Sequence, residues 1–235
     1  KAVKAFTDYV KKFPFDEQAR SEVETCQMAE QWKNAPSNYT IQGVSEINSI
    51  AYDYAPVLYN KNGLVFTSDR SDATGSESYG WTGEKFSDLY IATRNTAGQF
   101  SAPSPFSPNL NSDYNEGTPT FNKDFTEIYF TRCGSSLTTN DSCHTYYSVR
   151  NGDEWSEPVP VPIFNDSCNV VQPFLTADGK ELYVASDIDG GYGGKDLYVL
   201  MRDAEGNWVN PQNLGPNINT DGDEGFPVLS EDGKL

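Results

Sequence analysis

The chain has 235 residues, a length that suits one large domain or two small ones. Its formal net charge of -17 disfavours nucleic-acid binding, which needs a positive surface, and direct adhesion to anionic lipid. Aromatic residues make up 13% of the chain beside 19 Gly and 14 Pro, a composition typical of many short strands joined by tight turns.

Residues 1–35 are predicted to be helical, because apolar residues recur in them at helical spacing. Pro14 divides this pattern into two segments. The acidic residues from Asp16 onward suit the N-terminus of the second helix, and a linker is expected over 36–47. The Lys-Phe-Pro turn after Tyr9 resembles the helix junction of tetratricopeptide repeats, which implies protein binding.

The remainder, residues 48–235, repeats itself with a period of about fifty-four residues. Four prolines mark one place in successive repeats, and an asparagine stands eight residues before each. An apolar strand, an Asp-Leu-Tyr segment (Thr-Tyr-Tyr in the second repeat) and a closing Phe or Trp follow the first three prolines. These coincidences indicate a structural repeat. The prolines are Pro56, Pro119, Pro173 and Pro227, and the asparagines are Asn48, Asn111, Asn165 and Asn219.

Each repeat predicts four short strands, which is the content of one β-propeller blade. Phe100, Trp155 and Trp208 close the repeats and are expected in the blade cores. The sequence therefore predicts a mainly β fold: a β-propeller of three blades plus the first strand of a fourth, preceded by the short helical segment. Because propellers usually need at least four blades, we expect the natural chain to continue beyond Leu235.

Cys133 and Cys143 flank a short polar segment and are candidates for a disulfide that closes a hairpin in an oxidising compartment. They do not belong to two Cys-x-x-Cys pairs, so a zinc site is not predicted. Such a disulfide would stiffen the hairpin for docking a partner.

Asp187, Asp189 and Asp196 bracket a glycine-rich loop and are candidate ligands for Ca²⁺. The glutamate expected at the twelfth position of a calcium loop is replaced by Tyr198. The favoured interpretation is therefore that Asp196 caps backbone N–H groups at the start of a strand. No cofactor is expected, and Ca²⁺ is kept as the alternative.

Tyr79, Trp81 and Phe86 lie in a first-repeat loop, residues 71–87, about nine residues longer than its counterpart. Aromatic residues on an inserted loop are candidate partner contacts, and the alternative is that they pack back onto the blade. The single histidine, His144, stands in a variable loop, and the chain has no nucleophile-elbow motif. No catalytic residues are therefore predicted.

The repeat contains an Asp-Gly-Lys turn, an apolar strand that ends in serine, a Gly-Gly-Tyr-Gly-Gly loop and an Asp-Leu-Tyr strand. Together these motifs resemble WD40-like repeats of the TolB type. Asn48-Ser49, Tyr54-Ala55-Pro56 and the run from Phe66 to Arg70 are similar to propellers of Bacteroidota cell-envelope proteins of the OmpA family, as is the Gly190–Tyr198 segment. The resemblance covers nearly the whole chain. In that family, tetratricopeptide-like helices precede the propeller and an OmpA-like peptidoglycan-binding domain often follows. One member is the periplasmic lipoprotein of the type IX secretion system.

This resemblance implies a periplasmic, outer-membrane-associated scaffold without enzymatic activity. Its propeller would bind an outer-membrane or periplasmic protein partner, a component of an outer-membrane or type IX secretion assembly. Peptidoglycan binding is implied only through a domain that this sequence does not contain. The alternative function is a carbohydrate-binding or carbohydrate-active propeller, because some glycan-cleaving enzymes are propellers and the loops carry aromatic and acidic residues.

Overall fold

The computed structural model describes residues 1–35, 39–75, 83, 85–134, 142–164 and 167–230. The chain divides into two compact units, Lys1–Gly43 and Val44–Leu235. Ile47, which the sequence assigned to the linker, is buried in a hydrophobic cluster of the second unit. Among these described residues, no helix is long and apolar enough to cross a membrane.

The first unit contains two helices, α1 (Ala2–Val10) and α2 (Glu17–Asn34), separated at the Pro14 turn. The Asp16 side chain accepts the backbone N–H of Ala19 at 2.9 Å. This contact satisfies one of the N–H groups that the first turn of a helix leaves unpaired. The second helix therefore begins at the acidic cluster.

The described part of the second unit is mainly β and contains three antiparallel sheets, one from each of the first three repeats. Within each sheet, strands that follow one another in the chain are paired, except that β9 pairs with β7. The first sheet contains β1 (Asp53–Tyr59), β2 (Gly63–Ser68), β3 (Asp88–Thr93) and β4 (Ser104–Pro105). The second contains β5 (Asn115–Phe121), β6 (Glu127–Cys133), β7 (Cys143–Asn151), β8 (Glu154–Trp155) and β9 (Val159–Pro160). The third contains β10 (Val170–Leu175), β11 (Glu181–Ser186), β12 (Asp196–Arg202) and β13 (Trp208–Asn213).

Residues 223–230 form no strand, so the predicted first strand of a fourth blade is wrong for this segment. Its backbone donates instead to the third sheet. The Glu224 N–H donates to the Lys195 carbonyl at 2.7 Å, and the Phe226 N–H donates to Gln172 Oε1 at 2.9 Å. A strand requires continuous backbone pairing with a neighbouring strand, and these contacts do not supply it.

The first strand of each following sheet packs against the sheet before it. β5 contacts β1, β2 and β3, and β10 contacts β5, β6 and β7. Between the first two sheets the core is aromatic: Phe121 lies 5.0 Å from Tyr59 and 6.0 Å from Trp155, centroid to centroid. Between the next two, Tyr129 meets Trp208 edge to face at 5.8 Å. Trp155 and Trp208, which close the second and third repeats, therefore lie in the cores between sheets, whereas Phe100 packs on a cluster within the first sheet.

Two of the repeated asparagines fasten the segment that follows a sheet to that sheet. Asn111 accepts the Leu89 N–H at 3.0 Å and donates to the Leu89 carbonyl at 3.1 Å. Asn219 makes the same two contacts with Leu197, at 2.8 and 3.1 Å. Both asparagines are buried, and both leucines are the middle residue of an Asp-Leu-Tyr segment. Two separate sequence motifs are thus the two halves of one contact, between the third strand of a sheet and the segment that follows that sheet.

An arginine with only 11–13% of its side chain exposed holds the start of the first strand in two of the sheets. Arg132 pairs with Glu116 at 2.7 Å, and Arg70 pairs with Asp53 at 2.6 Å. Each guanidinium also donates to a backbone carbonyl in the segment before the strand, at 3.1 and 3.0 Å. The ion pair therefore connects strands one and two to the preceding turn.

Candidate functional site

A cavity of about 400 Å³ lies where the first strands of the three sheets meet the segment after β13. We call it the axial cavity. Each of the four described segments that line it contains one repeat proline, and none of these described lining residues carries a charge, in a chain whose net charge is -17. The segments are residues 55–58, 118–120, 172–174 and 226–228.

In each lining segment the residue before the proline has a left-handed backbone. In the three sheets the strand register shifts at this point, which is a β-bulge. A non-glycine residue in this region costs on the order of 1–3 kcal/mol, and such residues concentrate at functional sites. Four of them around one cavity mark it as the candidate site. The φ values are 48° at Ala55, 51° at Thr118, 54° at Gln172 and 52° at Phe226.

Neighbouring sheets hold the bulges in place. A bulged residue loses its strand partner, so its N–H needs another acceptor. Thr67 Oγ1 accepts the Thr118 N–H at 3.0 Å, and Thr131 Oγ1 accepts the Gln172 N–H at 2.8 Å. β11 has an alanine at the equivalent position, which offers no hydroxyl group. The Phe226 N–H is accepted there by Gln172 Oε1 instead. The shape of the axial cavity is therefore set by packing between sheets.

Apolar side chains of the axial cavity are open to solvent. Leu58 is 74% exposed, Val228 is 63% exposed and Phe226 is 58% exposed. Adjacent exposed apolar side chains on a strongly charged protein are typical of an interaction surface. The described lining residues include no carboxyl, imidazole, thiol or amine group, so the cavity offers contact area and a few hydroxyl and amide groups.

A second cavity of about 400 Å³ lies between the first and second sheets. Tyr59, Phe106 and Trp155 form its aromatic lining, and Asp153 and Glu154 add two exposed carboxylates. We call it the aromatic pocket and define it by these five residues. Aromatic faces beside carboxylates are a favourable environment for a cation.

The predicted aromatic partner contacts are only partly described. Tyr79 and Trp81 lie outside the described residues. Phe86 is half-buried just before β3 and is not among the described residues that line the axial cavity or the aromatic pocket. Their role as partner contacts stays a prediction.

Two of the three aspartates considered for Ca²⁺ accept backbone N–H groups in separate segments. Asp196 accepts the Tyr192 N–H at 2.7 Å and thereby caps the backbone before β12, while Asp187 accepts the Asn169 N–H at 2.6 Å. Asp189 is exposed. Within the part of the chain that the structure describes, no three His, Cys, Asp or Glu side chains are grouped closely enough to hold a metal ion.

Cys133 and Cys143 are joined by a disulfide bond, with their Cα atoms 4.1 Å apart. They face each other in register at the ends of β6 and β7. The neighbouring His144 has its Nε2 atom 3.1 Å from Ser142 Oγ. The bond therefore closes the hairpin that joins these two strands.

Replacing Cys133 and Cys143 with serine is expected to lower the free energy of unfolding by roughly 2–3 kcal/mol, because the bond restricts a short loop in the unfolded chain. Denaturant titration measures the loss. The Cys26→Ser variant leaves the bond intact and should change stability by less than about 0.5 kcal/mol. Alkylation of the unfolded, unreduced protein should label Cys26 and Cys168 alone, and labelling of the other two would contradict the bond.

The four residues with left-handed backbone that line the axial cavity were not predicted from the sequence. Their identities differ from repeat to repeat, so no motif marks them. The available signal was positional, since each stands immediately before an aligned proline. They are Ala55, Thr118, Gln172 and Phe226.

No family model and no curated protein matches the chain. Among solved structures it is similar to a puromycin-hydrolysing peptidase of Mycobacterium tuberculosis, with a TM-score of 0.47 and 16% identity over 71% of this chain and 24% of the peptidase. It is also similar to a sialidase of Trypanosoma rangeli in complex with the inhibitor DANA, with a TM-score of 0.40 and 13% identity over 70% of this chain and 30% of the sialidase. The matched part is less than a third of either protein, and neither likeness carries an argument about function.

Proposed function

We propose that the three sheets are blades of a β-propeller and that the protein is a non-enzymatic scaffold that binds a partner protein at the axial cavity. The observation that carries this proposal is the convergence of four strained residues on one uncharged, solvent-open cavity. In a propeller the blades surround a central channel, and here the first strands of all three sheets line the cavity.

The partner contributes an extended segment with uncharged, apolar side chains. Leu58, Phe226 and Val228 offer it apolar area that is otherwise in contact with water. A charged segment would lose its hydration in the cavity without meeting a counter-charge. Apolar anchors in such a pocket carry most of the binding energy of an interface.

We propose further that this scaffold works in the Gram-negative cell envelope, in the periplasm and associated with the outer membrane. The Cys133–Cys143 disulfide supports an oxidising compartment. The likeness of the repeat to envelope-protein propellers supports a partner that belongs to an outer-membrane or type IX secretion assembly.

Substituting two apolar residues that line the axial cavity is expected to reduce partner capture strongly. The variant Leu58→Ser with Phe226→Asn removes two exposed apolar side chains, and asparagine tolerates the left-handed backbone at position 226. Immobilised protein is incubated with a solubilised outer-membrane extract, and bound proteins are identified by mass spectrometry. The unsubstituted protein should retain a defined envelope protein, and the variant should retain at least about tenfold less of it.

The matched control is Ile50→Ser with Tyr192→Asn, which replaces one exposed aliphatic and one exposed aromatic residue outside the cavity. It should capture the partner normally. The proposal is wrong if no protein is retained, or if both variants retain it equally. Retention of polysaccharides on a glycan array, without a protein partner, would favour the carbohydrate-binding alternative.

A further inference from the structure

We propose that the aromatic pocket binds an arginine side chain of the partner protein. This inference rests on the proposed function, because it supplies the chemistry of a second contact with the same kind of partner. The pocket is lined by aromatic rings and two exposed carboxylates, and it lies apart from the residues of the axial cavity.

The chain itself contains examples of an arginine stacked on an aromatic ring, and these arginines stand at one repeat position. Arg94, Arg150 and Arg202 each stand four residues after the tyrosine of strand three. The Arg94 guanidinium lies 4.7 Å from the centroid of Phe100, and the Arg202 guanidinium lies 5.3 Å from the centroid of Trp208. In these two sheets the closing aromatic residue therefore carries a stacked guanidinium.

The second sheet departs from this arrangement. Arg150 directs Nη2 toward Asp153 at 3.4 Å, and its buried Nε has no hydrogen-bond partner among the described residues. Its counterpart Arg202 contacts both carboxylate oxygens of Glu127, at 3.0–3.2 Å. The described contacts of Arg150 include none with the ring of Trp155. That ring instead lines the open pocket, where an external guanidinium can take the equivalent place.

The pocket's shape and charge suit a guanidinium. Tyr59 and Phe106 are nearly perpendicular, with centroids 5.1 Å apart and an interplanar angle of 82°, and Phe106 lies 6.0 Å from Trp155. The charged lining residues among those described, Asp153 and Glu154, are both acidic. A guanidinium stacks its plane on an aromatic face while its edge donates to carboxylates. A lysine ammonium has no plane to stack.

The pocket is present because two repeat positions carry different residues at this junction and at the next one. At the next junction, Tyr147 and Ile163 pack in the same hydrophobic cluster as Trp208. The repeat positions of Tyr147 and Ile163 are occupied at the pocket by Ile91 and Asn109, both of which line it. The pocket is thus an open space where the neighbouring junction has side chains.

The test is an NMR titration of the whole isotope-labelled protein with the blocked peptide acetyl-Gly-Arg-Gly-amide. The matched probe contains citrulline, which keeps the shape of arginine and removes its charge. The arginine peptide should shift the Trp155 indole N–H signal and the backbone amide signals of Asp153 and Glu154. Its Kd should be on the order of 1 mM, and the citrulline peptide should bind at least about tenfold more weakly.

The variant Asp153→Asn with Glu154→Gln should weaken the arginine peptide at least about fivefold. The control Asp124→Asn with Glu205→Gln makes the same chemical changes at two exposed acids in other turns, and it should bind normally. The inference is overturned if citrulline binds equally well, if the pocket variant binds normally, or if no shift appears at these residues by about 20 mM peptide.

The same titration separates this inference from the proposed function. The axial variant, Leu58→Ser with Phe226→Asn, should bind the arginine peptide normally, because its substitutions lie outside the aromatic pocket. If the peptide fails to bind while partner capture still depends on the axial cavity, only the arginine inference is overturned. If the peptide binds and no partner is captured, only the proposed function is overturned.

Discussion

Replacing Arg132 with methionine is expected to lower the free energy of unfolding by about 3–5 kcal/mol. The Glu116 side chain is 0% exposed, and Arg132 Nε donates to it at 2.7 Å. Without the guanidinium, a buried carboxylate has no counter-charge, and the Leu110 carbonyl loses a donor at 3.1 Å. Urea titration at about pH 8 measures the loss. The same substitution at exposed Arg94 should cost less than about 1 kcal/mol.

The third sheet indicates how this loss can be recovered. Val170 stands at the repeat position of Glu116, and Ile188 stands at the position that Arg70 occupies in the first sheet. Both pack in a hydrophobic cluster, so an apolar pair replaces the ion pair there. The double variant Glu116→Val with Arg132→Met should therefore lie within about 1 kcal/mol of the unsubstituted protein. A double variant as unstable as the single one would contradict this interpretation.

The pH dependence of stability reports on the same group. Burial raises the pKa of Glu116 to about 7, and the hydrogen bonds from Ser112 and the charge of Arg132 only partly oppose this. The folded protein therefore holds this proton to higher pH than the unfolded chain, in which the pKa is about 4.5. The contribution of this proton to the free energy of unfolding is fully present below about pH 4.5 and is lost as the pH rises through about 7. Between about pH 5 and pH 8 the loss should be on the order of 2 kcal/mol, and Glu116→Gln should remove it.

The strands could be predicted from sequence because their signals are local. The predicted segments Leu64–Ser68 and Leu182–Ser186 fall within β2 and β11, since runs of apolar and β-branched residues record a strand in neighbouring positions. The Asp-Leu-Tyr segments begin β3 and β12 for the same reason. The segment 223–230 has the same local pattern but no strand, because pairing depends on a partner strand and not on the segment itself.

The axial cavity left a positional signal in the residue before each aligned proline. The buried ion pairs and the aromatic pocket left none, because they depend on the direction that long side chains take in the folded protein. Arg70 lies beyond the end of β2 whereas Arg132 lies within β6, yet their guanidinium groups make equivalent ion pairs. An alignment compares positions and therefore hides this equivalence. The aromatic pocket has the same origin, since it depends on the different directions of Arg150 and Arg202 at one repeat position.

Replacing Asn111 with leucine is expected to lower the free energy of unfolding by about 2–5 kcal/mol. The side chain accepts the Leu89 N–H and donates to the Leu89 carbonyl, and leucine can do neither. Each buried backbone group left without a partner costs roughly 1–3 kcal/mol. Asn219→Leu should lose a similar amount at Leu197, because the two contacts are the same. Denaturant titration compares the two variants directly.

A local measurement separates this contact from a general loss of packing. Amide hydrogen exchange at Leu89 should accelerate more in Asn111→Leu than exchange at Leu197, and Asn219→Leu should show the reverse order. The exposed Asn217→Leu controls for the substitution itself and should change stability by less than about 0.5 kcal/mol. If both leucines lost protection equally in either variant, the asparagine would act on global stability alone and not as a local contact between a sheet and the segment that follows it.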